Sequence, residues 1–297
     1  MLNAICTLVI TVTFAAMSLF ITSLNSGSNG NCYYIGNDDD AILVDAGISL
    51  RETEKRMARL GLPMDKIRGI FVSHEHGDHI TGVPGLSKKY RLPVYITSRT
   101  LANGRIPVEP ELIVDFSAAK PVTIGNISVE AFRKFHDAAD PHSFIVQHNN
   151  VTVGIFTDIG KPCSELIRHF QRCDAAFLEA NYDVKMLDEG RYPYHLKRRI
   201  TGGQGHLSNK EALDLFTAHR SSGLRHLILS HLSKNNNCPE LVANLFNAHA
   251  GNTTITVASR YAESAIFHIE SSGIPAATMV VRKKTLVNLS HMQMKLF

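Results

Sequence analysis

The chain lacks the markers of several protein classes. Its five cysteines, Cys6, Cys32, Cys163, Cys173 and Cys238, are odd in number, far apart and free of any CxxC pair. That argues against a secreted disulfide framework and for a reducing, cytoplasmic setting. Neither charge dominates: 31 Lys and Arg against 27 Asp and Glu leave a net +4. Such a balance permits an anionic substrate without demanding one. No internal repeat and no low-complexity segment is present. What remains is 297 residues, 44% of them hydrophobic, enough to bury one large α/β core. The fifteen histidines are the unusual count, because histidine is both a common metal ligand and a proton carrier near neutral pH.

Residues 4–21 carry no charge, and their length would permit a membrane helix or a signal peptide. No Lys or Arg precedes the run, Thr and Val are frequent in it, and it leads directly into a strand expected around Leu19–Leu24. The expectation is a start at Met17, with residues 1–16 an apolar extension, a single domain over 17–269 and a poorly ordered tail over 270–297. No stable membrane association is expected unless the first run is a real anchor.

Short apolar runs alternate with helical patterns along the rest of the chain. NCYYIG and AILVDAG read as paired strands around a turn at Asn37–Asp40. SLRETEKRMARL reads as a helix capped by Ser49, with Glu52 completing a capping box and Gly61 ending it. GIFVS, PVYIT, NISVEAF, SFIVQ, VTVGIFTD, AAFLEA, HLILSHL and TTITVAS read as strands. SELIRHFQRC, NKEALDLFTAHR and PELVANLFNAHA read as helices. Strand-rich halves separated by single helices predict a layered α/β sandwich.

The main chemical signal is His74-Glu75-His76-Gly77-Asp78-His79, directly after the strand GIFVS. Two histidines one residue apart can reach one metal ion, and the Asp-His step turns toward a second. Four such side chains converging in six residues are costly to bury without cations. Asp45, His136, Asp158 and His231 share another pattern, a ligand-type side chain at the end of an apolar strand. Sites in α/β sheets gather at those ends. His142 rivals His136, since HDAADPHSF contains both; His136 follows its strand directly and is preferred.

HxHxDH, the upstream VDAG, the later TDIG and the SHLS strand end resemble the motif series of the metallo-β-lactamase superfamily, over residues 21–268. The resemblance implies a four-layer αββα sandwich with two mixed sheets flanked by helices. It implies His74, His76 and His136 around one divalent ion, and Asp78, His79 and His231 around a second. Asp158 would bridge the two ions, and Asp45 would brace the ligand loop. Zinc or manganese suits such ligands, and iron is compatible.

Both Asp78 and His79 are present, unlike the usual β-lactamase pattern. No glyoxalase-type helical domain follows His231. Too few residues separate Asp158 from His231 for the large insertion of the β-CASP nucleases, and no flavodoxin domain is appended. SLNSGSNGNCYYI, FHDAADPHSFIV, EANYD, GRYPYHLKRRI, GHLSN and SHLSKNNN resemble the bacterial exonuclease group of this superfamily encoded beside a cell-wall-regulating two-component system. Tyr182 in EANYD departs from some of its members. The resemblance implies 5′-to-3′ exonuclease action on DNA. A small-molecule hydrolase for cyclic phosphodiesters, thioesters or lactones is the alternative.

Phosphodiester cleavage fits two ions sharing a water of lowered pKa. Asp78 or Asp158 would orient that nucleophile. His206 would protonate the leaving oxygen or bind phosphate, or would simply cap the following helix. Ser28, Asn29 and Asn181 are candidate substrate contacts. So are Lys197 and Arg198, in a basic run beside Tyr192 and Tyr194. Lys88, Lys89 and Arg91 fit a solvated helix face.

Overall fold

The computed structural model describes residues 18–118 and 120–270. The extension over 1–16 and the tail beyond Glu270 lie outside the described residues. One sheet begins with β1 (Ser18–Asn25), β2 (Cys32–Gly36), β3 (Ala41–Val44), β4 (Ile67–Phe71), β5 (Val94–Tyr95) and β6 (Ile113–Val114). The second holds β7 (Val122–Ile124), β8 (Ile127–Arg133), β9 (His142–His148), β10 (Val151–Phe156), β11 (Ala175–Glu179), β12 (His226–Ser230) and β13 (Thr254–Val257). The chain then returns to the first sheet, where β14 (Phe267–Glu270) pairs antiparallel with β1. Among the described residues each sheet has seven strands and is mixed. In the first, β3 to β6 run parallel. In the second, β10 to β13 do.

Three apolar clusters separate four layers. Tyr33, Ile42, Phe71, Phe144, Val153 and Phe177 come from both sheets and fill the space between them. On the far face of the first sheet, Leu43 and Ile70 pack with Met57 and Leu86, from helices Leu50–Arg59 and Val83–Tyr90. On the far face of the second, Ile145 and Leu178 pack with Leu166, Phe216 and Phe246, from helices Ser164–Phe170, Asn209–His219 and Pro239–Asn247. This explains why AILV and VTVGIF are buried at every position: a strand covered on both faces reads as an apolar run rather than an alternation. The αββα sandwich expected from the sequence is the architecture found.

Local signals mostly hold. Asn37 Oδ1 accepts the amides of Asp39 and Asp40 and closes the β2–β3 turn. Ser208 and Glu211 form a complete capping box. At Ser49 only half of the expected box forms. Its side chain accepts the Glu52 amide, but the Glu52 carboxylate takes Arg56 Nε at 2.8 Å, four residues along the same helix. Lys89 and Arg91 are paired with Glu54, Glu109 and Glu111. Among the described residues no helix is long and apolar enough to cross a membrane.

Candidate metal centre

The strands β3, β4, β8, β10, β11 and β12 all deliver their C-terminal ends to one edge of the sandwich. Asp45 follows β3, His74 follows β4, His136 follows β8, Asp158 follows β10, Glu179 ends β11 and His231 follows β12. Asp45, Asp158 and His231 have positive φ angles of 57°, 55° and 56°. Left-handed backbone at a residue with a side chain costs free energy. Here it turns each side chain out of its strand and into the shared edge. Gly47 of the VDAG segment lets the loops close, since a β-carbon there would lie 1.7 Å from the Asp78 carbonyl oxygen.

The histidines are oriented from behind. His79 Nδ1 lies 2.7 Å from Asp45 Oδ2, His136 Nδ1 2.9 Å from the Gly205 carbonyl oxygen and His231 Nδ1 3.0 Å from Glu179 Oε1. Ser73 Oγ donates to Asp45 Oδ2, which leaves it accepting from His74 Nδ1 at 2.8 Å. Each outer nitrogen therefore carries its proton, and each Nε2 is left facing inward to take a metal ion or a second proton.

The inward atoms form two groups. His74 Nε2 is 3.1 Å from His76 Nδ1, which is 3.3 Å from His136 Nε2. One proton on His76 Nδ1 can serve only one of these two neighbours, whereas a tetrahedral cation bonded at about 2.0–2.1 Å would set its nitrogens roughly 3.3 Å apart and satisfy all three. In the other group Asp78 Oδ2 lies 3.4 Å from His231 Nε2 and 3.6 Å from His79 Nε2. Asp158 stands between the groups. Its Oδ2 is 3.2 Å from His79 Nε2, and its Oδ1 is 3.6 Å from His231 Nε2 and 3.8 Å from His136 Nε2. Asp158 Oδ2 is buried without a hydrogen-bond partner. With His79 Nδ1 committed to Asp45, the gap from Oδ2 to His79 Nε2 needs a cation, whether a proton or a metal ion.

Protonation follows the same logic. Burial opposes charge on His79, yet Asp158, Asp45 and Asp78 outweigh it and hold its pKa well above the usual value. Burial likewise works against His231, but Asp158, Asp78 and Glu179 raise its pKa to about 10. Burial, with the charge on His79, pushes His74 down. Burial takes His136 to about 4 despite Asp158.

All seven ligand candidates thus converge, and Asp45 braces two of them. His142 does not join them: its Nδ1 faces the Asp140 carbonyl oxygen at 2.9 Å, and its ring packs on Phe116. Asn181, a candidate substrate contact, lies behind the ligands. It is buried, and its amide donates to the His231 carbonyl at 2.7 Å, so it holds the ligand loop. Ser28 and Asn29 line an open cavity of about 430 Å³ beside Asp78. Lys197 and Arg198 lie outside the cluster on the helix Tyr194–Thr201. There Lys197 Nζ donates to the Asp188 carbonyl, and Arg198 sits 5.9 Å from the Tyr194 ring centroid.

Glu179 escaped the sequence reading. Fully buried, it receives Ile159 N and Leu207 N on Oε2 and faces His206 Nδ1 at 2.7 Å and His231 Nδ1 at 3.0 Å on Oε1. Burial would raise its pKa, but His206 and His231 hold it down to about 2. The available signal was the pattern already used for Asp45 and Asp158, a carboxylate ending an apolar strand. Lys134 is a second buried partner. It donates Nζ to the Thr157 carbonyl at 2.7 Å and sets a positive charge near Asp158 and Asp45.

A family model for the beta-lactamase superfamily domain matches residues 40–232. The chain is 38% identical to the exodeoxyribonuclease YycJ of Bacillus anthracis over 230 residues, 76% of this chain and 86% of that protein. It is 32% identical to the exodeoxyribonuclease WalJ of Streptococcus pneumoniae over 225 residues, 73% of this chain and 83% of that protein. Among solved structures, the metallo-beta-lactamase fold protein YhfI from Bacillus subtilis aligns with a TM-score of 0.67 at 16% identity, covering 84% of this chain and 99% of that one. At that identity the likeness concerns the fold.

Proposed function

The chain belongs to the beta-lactamase superfamily, a fold whose His and Asp clusters here imply divalent metal binding, and we propose that it is a dinuclear phosphodiesterase acting as a 5′-to-3′ DNA exonuclease. The observation that carries the reading is Asp158 standing between two converged ligand groups, with His206 beside it on the open side. Long relatives named as exodeoxyribonucleases support DNA as the substrate.

In this reading His74, His76 and His136 would hold one ion and Asp78, His79 and His231 the other, with Asp158 placed to serve both. Zinc or manganese is the proposed metal. The bound ions would supply an activated water nucleophile and neutralise charge on the phosphate. The rest is done by the chain's own groups. Asp45, Glu179, Ser73 and the Gly205 carbonyl fix the histidine rings, so the site is organised before substrate arrives. Asp78 or Asp158 would orient the attacking water. His206 is 17% exposed at its side chain, against 2% for His231, so it is open to substrate. Glu179 fixes its Nδ1 and leaves Nε2 to protonate the leaving 3′-oxygen. The helix Tyr194–Thr201 presents Arg198 and the 74% exposed Tyr194, a basic and aromatic face for the strand leaving the site. The four described cysteines are free thiols, which supports a reducing, cytoplasmic setting.

The test uses manganese- or zinc-loaded protein with 5′- and 3′-labelled single- and double-stranded DNA, RNA in parallel, and His76→Ala as control. Mononucleotides released from the 5′ end by wild type and not by the variant support the reading. No cleavage of any nucleic acid by metal-loaded protein removes it and moves the search to cyclic phosphodiesters, thioesters and lactones.

A further inference from the structure

His142, the histidine that stays out of the ligand cluster, has one ring nitrogen without a task. Its Nδ1 donates to the Asp140 carbonyl at 2.9 Å. Burial pushes its pKa below the usual value, against the pull of that carbonyl. The ring is therefore neutral at pH 7, and Nε2 carries a lone pair. Only 3% of the residue is exposed. Nε2 makes no hydrogen bond among the described residues, yet it is not one of the polar atoms sealed from solvent without a partner. What it can reach is the cavity that His142 lines.

This cavity has a volume of about 420 Å³, within the range of about 300–1,000 Å³ of small-molecule sites. It opens on the same edge of the sandwich as the metal centre. Thr97 and Asp115 follow the parallel strands β5 and β6, and Arg133 ends β8 just before His136. The two places share a support. The His142 amide donates to the Ser73 carbonyl at 2.9 Å, and Ser73 Oγ is the group that orients His74.

The charges around the cavity balance. Arg99 and Arg133 are positive, Asp115 and Asp140 negative. Arg133 Nη2 holds Asp140 Oδ1 at 2.9 Å, and Asp115 Oδ1 accepts the Ser98 amide at 3.1 Å. Such a balance gives a phosphate no net attraction. Phe116 stands edge-on to the His142 ring, with centroids 5.2 Å apart at 84°, and supplies an aromatic wall. A flat, neutral ring with donor and acceptor atoms along its edge matches this lining. Nucleobases are such rings, and each has an N–H on its pairing edge that Nε2 can accept.

We propose that this cavity is a nucleobase pocket, in which an unpaired base of the substrate strand enters past Ser98, packs against Phe116 and gives an N–H to His142 Nε2. The proposal rests on the nuclease reading for DNA as the source of the base, and on His142 and its cavity for the pocket itself. It makes His142 a binding residue for a polymeric substrate, with no part in bond cleavage.

Two measurements on zinc-loaded full-length protein test it. In the first, a single abasic residue is placed in turn at each position of a labelled DNA oligonucleotide, and wild type is compared with Ser98→Trp. Ser98 is exposed at the rim, so an indole there plugs the cavity from outside. In wild type an abasic residue at one position should raise KM about tenfold, the loss of one bound base. Ser98→Trp should raise KM for intact DNA to a similar extent and make that abasic residue neutral. Turnover of bis(p-nitrophenyl) phosphate, which has no N–H donor, should stay within about twofold. Equal losses on DNA and on the small ester would mean a structural role at the Ser73 loop and overturn the proposal. So would abasic and Ser98→Trp effects that multiply, or no effect of either. In the second, the His142 ring proton resonances, assigned by their absence from His142→Gln, are followed during titration with deoxyadenosine, deoxycytidine and deoxyribose 5-phosphate. A shift with the nucleosides and not with the sugar phosphate supports the pocket. If wild type cleaves no nucleic acid yet the nucleosides shift the resonances, the nuclease reading fails and the pocket stands. If the nucleosides leave them in place, or the sugar phosphate moves them equally, the pocket falls.

Discussion

Asp45 Oδ2 lies 2.7 Å from His79 Nδ1, with both side chains fully shielded from solvent. The same carboxylate takes Ser73 N and Ser73 Oγ, each at 2.8 Å, and through Ser73 Oγ it also steers His74. One buried aspartate thus sets the ring orientation of a histidine in each ligand group. An Asp45→Asn change keeps the volume and removes the charge that fixes both rings. Metal affinity should fall about 10- to 100-fold. Competition with a chelating indicator measures this, and an unchanged affinity would refute the bracing role.

The close approach of Gly47 to Asp78 gives a stability prediction. A methyl group at Gly47 would meet backbone, 1.7 Å from the Asp78 carbonyl oxygen and 2.6 Å from the Asn31 amide nitrogen. Backbone on two sides cannot yield as a flexible side chain can. Gly47→Ala should destabilise the metal-loaded protein by about 3 kcal/mol or more. Gly61→Ala is the control. Its φ is +68° but nothing lies near its β-carbon, so only backbone strain of about 1 kcal/mol applies. Urea denaturation of both variants checks the difference, and equal losses would refute the steric account.

The metal-free site should hold protons where metal ions would sit. His231 has a pKa of about 10, because Asp158, Asp78 and Glu179 overcome its burial, and His79 is raised for the same kind of reason. Both are protonated at neutral pH, and metal binding must displace those protons. Calorimetry in buffers of differing ionisation enthalpy should show about two protons released per chain at pH 7, and affinity should rise with pH. Stability of the metal-free protein runs the other way. A raised folded pKa stabilises fully below the unfolded value of about 6.5, and that contribution is lost as pH rises through about 10 for His231. Metal uptake without proton release would contradict this picture.

The parts legible in the sequence are those whose partners are close in the chain or repeat one pattern. His74 to His79 sit within six residues, and Asp45, Asp158 and His231 each end an apolar strand. Glu179 ends such a strand too, but what gives it a role lies 27 residues away at His206 and 52 residues away at His231. Asn181 reads as a candidate substrate contact, and only the fold shows its amide donating to the His231 carbonyl. The capping box at Ser49 fails because Arg56, one turn along the helix, competes for Glu52. The edge strand β14 is only four residues, FHIE, and pairs with a segment at the other end of the chain.

The pairing of Glu179 with His206 gives the sharpest test of the chemistry. Glu179 Oε1 is 2.7 Å from His206 Nδ1, which makes Nε2 the nitrogen that can give a proton to a departing oxygen. A DNA 3′-oxygen is a poor leaving group and needs that proton; p-nitrophenolate leaves as a stable anion and does not. His206→Ala should therefore lower kcat on DNA by about 100- to 10,000-fold, and on bis(p-nitrophenyl) phosphate by less than about tenfold. Glu179→Gln should show the same asymmetry in weaker form, together with loss of metal, because Glu179 also fixes His231. Equal losses on the two substrates would show that His206 holds the phosphate or the metal site rather than donating a proton, and would leave the leaving group to be protonated by solvent.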